Sequence, residues 1–333
     1  MASPEMLSIV VPLYKSEANI PRLASELKRI ATICPTDVEL VFVNDGSPDR
    51  SAALIEALLP ELPMRAQLVQ LSRNFGAFAA ISAGLREARG DYFTVLAADL
   101  QEPPELALQF MKVMKEDGAD IAFGVRENRK DPALSLFAST VFWALYRRLV
   151  NPEIPPGGVD VFGCNRKVRD QICSMKEVET SLVGLLFWIG YKRAFVPYER
   201  RERQEGKSAW TFSKKLQYLI NSVFNFTDLP IRALMALGAF GMLLAATGVV
   251  TVLIAKYQGG ITVPGYAATV LTVFFFGGLT TAGLGVLGQY VWLCLQNARN
   301  RPIFIVDKKL EKSESIPVDA VVKSSPGNGT REI

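Results

Sequence analysis

Short runs of branched apolar residues alternate with longer segments of helical periodicity through the first part of the chain. Leu7–Leu13 (LSIVVPL) reads as a strand, and a helical pattern follows from about Glu17 to Cys34. Val38–Val43, Gln67–Leu71, Tyr92–Leu96 and Ile121–Phe123 read as further strands, separated by helices near Asp49–Leu59, Gly76–Arg89 and Pro104–Asp117. Strands that are apolar throughout and alternate with helices predict an α/β fold, a mostly parallel sheet flanked by helices. Ligands of such sheets bind beyond the carboxyl ends of the strands. Asp45-Gly46-Ser47 and Asp99-Leu100-Gln101-Glu102 follow two of those ends.

From Trp210 the character changes. Phe212, Leu216, Leu219, Ile220, Val223 and Phe224 recur at offsets of three and four, while Lys214, Lys215 and Gln217 take other faces. This predicts an amphipathic helix within residues 211–230, lying in the headgroup region because a span follows it, or else packed on the sheet domain. Ala233–Ala255 and Tyr257–Ala298 carry no charge. Both exceed the ~20 apolar residues a spanning helix needs, so two C-terminal transmembrane helices are expected, about Ile231–Lys256 and Gly265–Leu295, within a membrane region 231–298. Only Lys256 lies between them, whereas Lys214, Lys215 and Arg232 precede the pair and Arg299, Arg301, Lys308 and Lys309 follow it. The positive-inside rule then puts residues 1–210 and the tail 299–333 in the cytoplasm, making this an integral membrane protein of a lipid bilayer. Met1–Ser8 has no signal-peptide pattern. Gly277-Gly278 and Gly283–Gly288 suit close helix packing within or between chains, which would permit a homo-oligomer. From about Asp307 the tail, rich in Lys, Ser, Glu and Gly, reads as disordered.

Composition narrows the chemistry. The chain has 333 residues, a formal charge of +4 and no histidine, which removes every His-dependent triad and metal site. The modest charge gives no nucleic-acid signature. Cys34, Cys164, Cys173 and Cys294 form no ligand-like spacing and suit reduced thiols. Acids, bases and metal ligands must come from carboxylates, amides, hydroxyls, Lys, Tyr or Cys.

Asp45 stands where a strand-end carboxylate can read a base or ribose, although Asp-Gly is also an ordinary turn dipeptide. Pro12 and Tyr14 end the first strand, where a ring can stack on a base. In Ala98-Asp99-Leu100-Gln101-Glu102-Pro103-Pro104, Asp99 and Gln101 offer the hard oxygens that Mg²⁺ or Mn²⁺ prefers, and such a cation neutralises a diphosphate leaving group. Asp99 could instead simply cap the next helix.

Taken in order, VVPLY, VNDGS, LSRNFG, AADLQEPPE, GVR, GGVDVFGCNRK and RRERQEGKSAW, followed by two terminal spans, resemble the family 2 glycosyltransferases. More narrowly they resemble the polyprenyl-phosphate glycosyltransferases. The resemblance covers roughly residues 7 to 305 and implies a GT-A-like domain that transfers one sugar, with inversion, from a nucleotide-sugar donor to a polyprenyl phosphate acceptor. It implies that Pro12, Tyr14, Glu17 and Asp45 line the nucleotide, with Asp99 also at the donor. Asp99 and Gln101 would hold Mg²⁺ or Mn²⁺, and Arg126, Arg200, Arg203 and Ser208 would meet phosphate. Asp160 matches the acceptor-site carboxylate, as a base or as a group that orients the nucleophile. Gly206-Lys207-Ser208 is expected to close over the diphosphate, or alternatively to bind anionic headgroups. This chain has Ala97-Ala98-Asp99 where the family often has Asp-x-Asp, and Lys15-Ser16 before Glu17 where it usually has Pro-x-Tyr-Asn-Glu. Two other readings compete, an inactive nucleotide-sugar-binding scaffold and a processive polysaccharide synthase. The chain lacks the Gln-x-x-Arg-Trp motif and extra spans of the latter.

Overall fold

A computed structural model of the chain describes residues 5–127, 133–159, 161–175, 181–201, 212–258 and 265–312. The expected alternation is present. Strands β1 (Met6–Leu13), β2 (Asp37–Asn44), β3 (Arg65–Leu71) and β4 (Tyr92–Val95) are followed in turn by α1 (Ile20–Ile33), α2 (Ser51–Leu58), α3 (Ala77–Glu87) and α4 (Leu106–Glu116). Next come β5 (Ile121–Glu127), α5 (Ala133–Leu149), β6 (Val161–Asn165), α6 (Arg166–Ser174), α7 (Leu182–Trp188) and β7 (Arg193–Glu199). Three long helices, α8 (Phe212–Phe226), α9 (Leu229–Tyr257) and α10 (Tyr266–Ala298), then lead to β8 (Val306–Glu311).

All eight strands join one sheet, in the order β7-β5-β6-β4-β1-β2-β3-β8. Parallel pairing joins β1 to β2 and β4, β2 to β3, and β5 to β7. Only β6 and β8 run against their neighbours. The central strands are mostly apolar, as suits strands covered on both faces. Leu7, Ile9, Val11 and Leu13 pack with Leu23 and Leu27 of α1 and Phe110 of α4 on one face. Val10, Val41 and Val43 pack with Ala80, Ala83 and Leu85 of α3 on the other. Alternate residues of a strand point to opposite faces, so each helix layer meets its own apolar row.

A buried carboxylate pins the opposite, amino edge. Glu39, 2% exposed, accepts from Ser8 Oγ at 2.6 Å, from Gln67 Nε2 at 3.2 Å and from Arg89 N–H at 2.7 Å. Charge-assisted bonds of this kind offset its desolvation.

Two expectations change. The tail read as disordered from about Asp307 opens as a strand: β8 pairs with β3, Leu310 opposite Leu68 and Lys309 opposite Val69. Its charges suit an edge strand, where Lys309 Nζ reaches Glu87 at 2.6 Å and Lys308 Nζ reaches Glu56 at 3.3 Å. Of the two expected spans, one is met among the described residues. Phe275–Ala298 is long and apolar enough to cross a membrane, with 6% of its most apolar window buried. The segments Gln217–Phe226 and Leu229–Gly241, bent by 79°, make a second only if they count as one broken span. The amphipathic α8 packs one face on the sheet domain. Leu219 and Ser222 are buried, and Tyr218 stacks on Tyr146 of α5 at 5.7 Å, while Ile220 remains exposed.

Candidate active site

Parallel strands gather their carboxyl ends on one edge, and the loops that follow carry most of the residues singled out by sequence. The segments after β1, β2, β3, β4 and β7 lie there, together with Arg126 near the end of β5. Register aligns Arg126 with Tyr198, so Arg200 follows at the same end. Antiparallel β6 begins at this edge, since Val161 pairs with Gly124 near the end of β5. Asp160, Arg203 and Ser208, with Gly206 and Lys207, lie outside the described residues.

On the β1–β2 side, Pro12 pairs with Val43 and Tyr14 is 45% exposed. Lys15 adopts a left-handed backbone at φ 53° and donates its N–H to Ser47 Oγ at 2.7 Å. Asparagine tolerates that conformation better than lysine, so the turn carries some backbone strain at Lys15.

Glu17 joins a clamp between two loops. Its N–H donates to Asp49 Oδ2 at 3.1 Å, and its own carboxylate accepts from Arg50 N–H at 3.1 Å. Asp49 Oδ1 also accepts from Ser47 Oγ at 2.6 Å and from Ser51 N–H at 3.1 Å, covering the start of α2. Burial opposes ionisation of Asp49, but the Ser47 and Ser51 hydroxyls and the N–H groups of Ser51 and Glu17 outweigh it and lower its pKa from 3.8 to about 2. A lowered carboxyl pKa stabilises the fold above the unfolded value, and that contribution is lost as pH falls through the folded one. Asp49→Ala is therefore expected to destabilise the protein at neutral pH by about 1–2 kcal/mol. Melting temperatures followed in detergent should also fall less steeply between pH 4 and 2 than in the parent, a window set by the lowered pKa. Parallel pH curves would count against the clamp.

Asp45 is 3% exposed and accepts from the N–H groups of Phe75 at 2.7 Å and Gly76 at 2.9 Å. Burial pushes its carboxyl above the ordinary value, opposed by those two N–H groups and by the charge of Arg73. It thereby ties the end of β2 to the segment that starts α3. Sequence reasoning quoted the LSRNFG segment without giving Phe75 and Gly76 this role.

After β4 the chain turns sharply. Leu100 is left-handed at φ 52° and 2% exposed, and Gln101 N–H folds back to Asp99 Oδ1 at 3.3 Å. A branched aliphatic residue held in this conformation marks stored backbone strain. Gln101 is 8% exposed. Its Oε1 accepts from Arg200 Nη2 at 2.5 Å, and its carbonyl accepts from Arg201 N–H at 2.9 Å. Arg201 also pairs with Glu105 at 3.6 Å, and Glu105 in turn with Arg29. Residues 99 apart in sequence thus meet at one loop.

No group of three or more His, Cys, Asp or Glu able to hold a metal ion occurs among the described residues. Asp99 and Gln101 supply one carboxylate and one amide oxygen. Such a set fits a Mg²⁺-like cation that keeps most of its other ligands as water and substrate phosphate.

A cavity of about 560 Å³ lies on the α3 side of the edge, lined among others by Arg73, Phe75, Gly76, Ser181, Tyr218 and Arg301. Tyr218 belongs to α8, and Arg301 follows α10. The middle of α8 and the segment after α10 therefore meet at the edge that carries the loops.

Known proteins resemble this chain in sequence over most of its length. The family model described as glycosyl transferase family 2 matches residues 8–174, which run from β1 through β6 and α6. A Synechocystis protein described as an uncharacterized glycosyltransferase is 32% identical over 302 residues, covering 90% of this chain and 94% of the relative. The bactoprenol glucosyl transferase of Shigella phage SfII is 30% identical over 303 residues, covering 91% and 97%. Among solved structures, mannosyl-3-phosphoglycerate synthase from Rubrobacter xylanophilus aligns with 66% of this chain and 72% of its own, at 18% identity and a TM-score of 0.49. With half the chain matched by the family model and curated relatives alike nearly end to end, this protein belongs to glycosyl transferase family 2 and is a glycosyltransferase.

Proposed function

We propose that this protein transfers a single sugar from a nucleotide-sugar, UDP-glucose or similar, to a polyprenyl phosphate. An oxygen of the lipid phosphate attacks the anomeric carbon, the bond to the diphosphate breaks with inversion, and a nucleoside diphosphate leaves. The observation that carries this reading is the meeting of Asp99, Gln101 and Arg200 at one loop on the carboxyl edge, in a chain alike nearly end to end to bactoprenol glucosyl transferases.

Asp99 and Gln101 would hold Mg²⁺ or Mn²⁺, which when bound supplies positive charge to the leaving diphosphate. Arg126, Arg200, Arg203 and Ser208 bind phosphate oxygens, for which the planar guanidinium fork is well suited. Pro12, Tyr14, Glu17 and Asp45 form the nucleotide side of a GT-A-like domain. A phosphate acceptor is already ionised near neutral pH, so Asp160 orients the nucleophile rather than having to remove a proton. Both α9 and α10 span the bilayer, and the sheet domain stays on the cytoplasmic side, as the Lys and Arg flanking the pair favour. The cavity where α8 and the segment after α10 approach the sheet, lined by Arg73, Tyr218 and Arg301 among others, supports a headgroup reaching the carboxyl edge from the membrane.

The test incubates purified full-length protein with undecaprenyl phosphate, a panel of labelled UDP- and GDP-sugars, and Mg²⁺ or Mn²⁺. The expected product is a mild-acid-labile lipid carrying one sugar, formed from one donor far better than from the rest. Absence of label in lipid with every donor, alongside retained nucleotide binding, would instead indicate an inactive scaffold. Label in a polymer would indicate a synthase.

A further inference from the structure

We propose that Arg200 acts as a placeholder at the cation site. Its guanidinium donates to Gln101 Oε1, an oxygen that a cation held with Asp99 would also need, and would exchange that oxygen for the donor diphosphate when cation and diphosphate bind together. The inference rests on the metal reading above and adds an order of events to it.

The structure gives Gln101 Oε1 two claimants. As an amide oxygen in a nearly buried side chain it is a candidate cation ligand beside Asp99, yet it accepts from Arg200 Nη2 at 2.5 Å. A Mg²⁺-like ion sits about 2.1 Å from a ligand oxygen, so an ion on this oxygen would lie no more than about 4.6 Å from that guanidinium nitrogen. Like charges at that separation repel strongly in a partly desolvated site. Joint occupation of the oxygen is therefore disfavoured until an anion neutralises one of them.

The local architecture lets the side chain move while the backbone stays. Residue 200 is exposed. The next residue, Arg201, is fixed to the same loop by its N–H to Gln101 O at 2.9 Å and by its ion pair with Glu105 at 3.6 Å. Arg200 can thus release Gln101 and remain within reach of phosphate oxygens bound there. Arriving as a pair, cation and diphosphate satisfy both Gln101 and Arg200, whereas the cation alone leaves the guanidinium displaced and unpaired from this oxygen. Weak uptake of free cation and tight uptake of the cation–nucleotide pair follow, and by linkage each ligand strengthens the other equally.

The experiment measures Mn²⁺ binding by electron paramagnetic resonance on full-length protein in detergent, alone and with saturating UDP or GDP. Arg200→Met should bind Mn²⁺ about tenfold more tightly than the parent without nucleotide. In the same variant, the gain in Mn²⁺ affinity on adding nucleotide should shrink. In a Gln101→Ala background, Arg200→Met should change nothing further without nucleotide, because the contested oxygen is gone. A purely structural role for Arg200 predicts the opposite, weaker Mn²⁺ binding in every condition. Unchanged or weaker binding in Arg200→Met, with nucleotide-dependent Mn²⁺ uptake intact in the parent, overturns the exchange and leaves the metal reading standing. A parent protein that takes up no Mn²⁺ with either nucleotide removes both.

Discussion

Replacing Asp99 with Ala is expected to lower sugar transfer by about three orders of magnitude, or about 4 kcal/mol in the barrier. The residue supplies the only carboxylate in the Asp99–Gln101 pair, and Ala97, two positions before it, offers none. Without it, the cation would be held by a neutral amide, water and the diphosphate itself. The diphosphate would then leave with its charge poorly compensated, at the point where fixed electrostatics contribute most. Gln101→Ala should cost less, about tenfold to a hundredfold, since an amide oxygen brings no net charge. Steady-state rates with radiolabelled donor and undecaprenyl phosphate would measure both. The Asp99→Ala protein should melt normally, as residue 99 is partly exposed in a turn. Undiminished transfer by folded Asp99→Ala would sink the assignment.

Gly46→Ala is expected to destabilise the protein by roughly 3–5 kcal/mol, a large share of the about 5–15 kcal/mol that holds an ordinary domain folded. Two independent features produce this effect. Gly46 has φ +56°, a left-handed conformation that an alanine adopts at a penalty. A Cβ there would also lie 2.4 Å from the carbonyl carbon of Arg73 and 2.6 Å from the nitrogen of Asn74. Those atoms are backbone, and the adjacent Phe75 and Gly76 N–H groups are fixed on Asp45, so the neighbour has little freedom to retreat. Yield of folded protein and melting temperature would report the loss. A fall of less than a few degrees would show that the segment after β3 is far softer than its hydrogen bonds indicate.

The two experiments separate chemistry from architecture. In the proposed reaction Asp99 acts on the charge that develops at the diphosphate, whereas Gly46 permits the close approach of the loops after β2 and β3.

Local pattern determined a large part of this protein. Runs such as LSIVVPL and VELVFV can be buried on both faces only as central strands, and helical spacing fills the intervals between them. For that reason the first five strands and first four helices were legible, as was the position of Asp45 and Asp99 just past strand ends. Helices α9 and α10 were equally legible, because a nearly uncharged stretch of that length has few alternatives. Sequence order alone also brought Asp99 and Gln101 together, two residues apart on one turn.

Only the tertiary structure decided the sheet margins and the long-range contacts. Strand β7, RAFVPYE, alternates in burial and carries Pro197, which an edge strand tolerates and a central one does not. Strand β8, VDKKLE, is mostly charged and becomes a strand because β3 offers it an unpaired edge. Strand β6 is five residues long and includes Gly163, where a Cβ would crowd Phe110 and the carbonyl of Phe93. In each case pairing, a non-local property, overrides a weak local signal. The same holds for the site. The bond between Arg200 and Gln101, and the two that Asp45 receives from Phe75 and Gly76, join loops from different strands. Hydrophobic periodicity specifies which face of an element is buried, but the distance between two loop ends depends on strand order and register, which exist only once the sheet has formed.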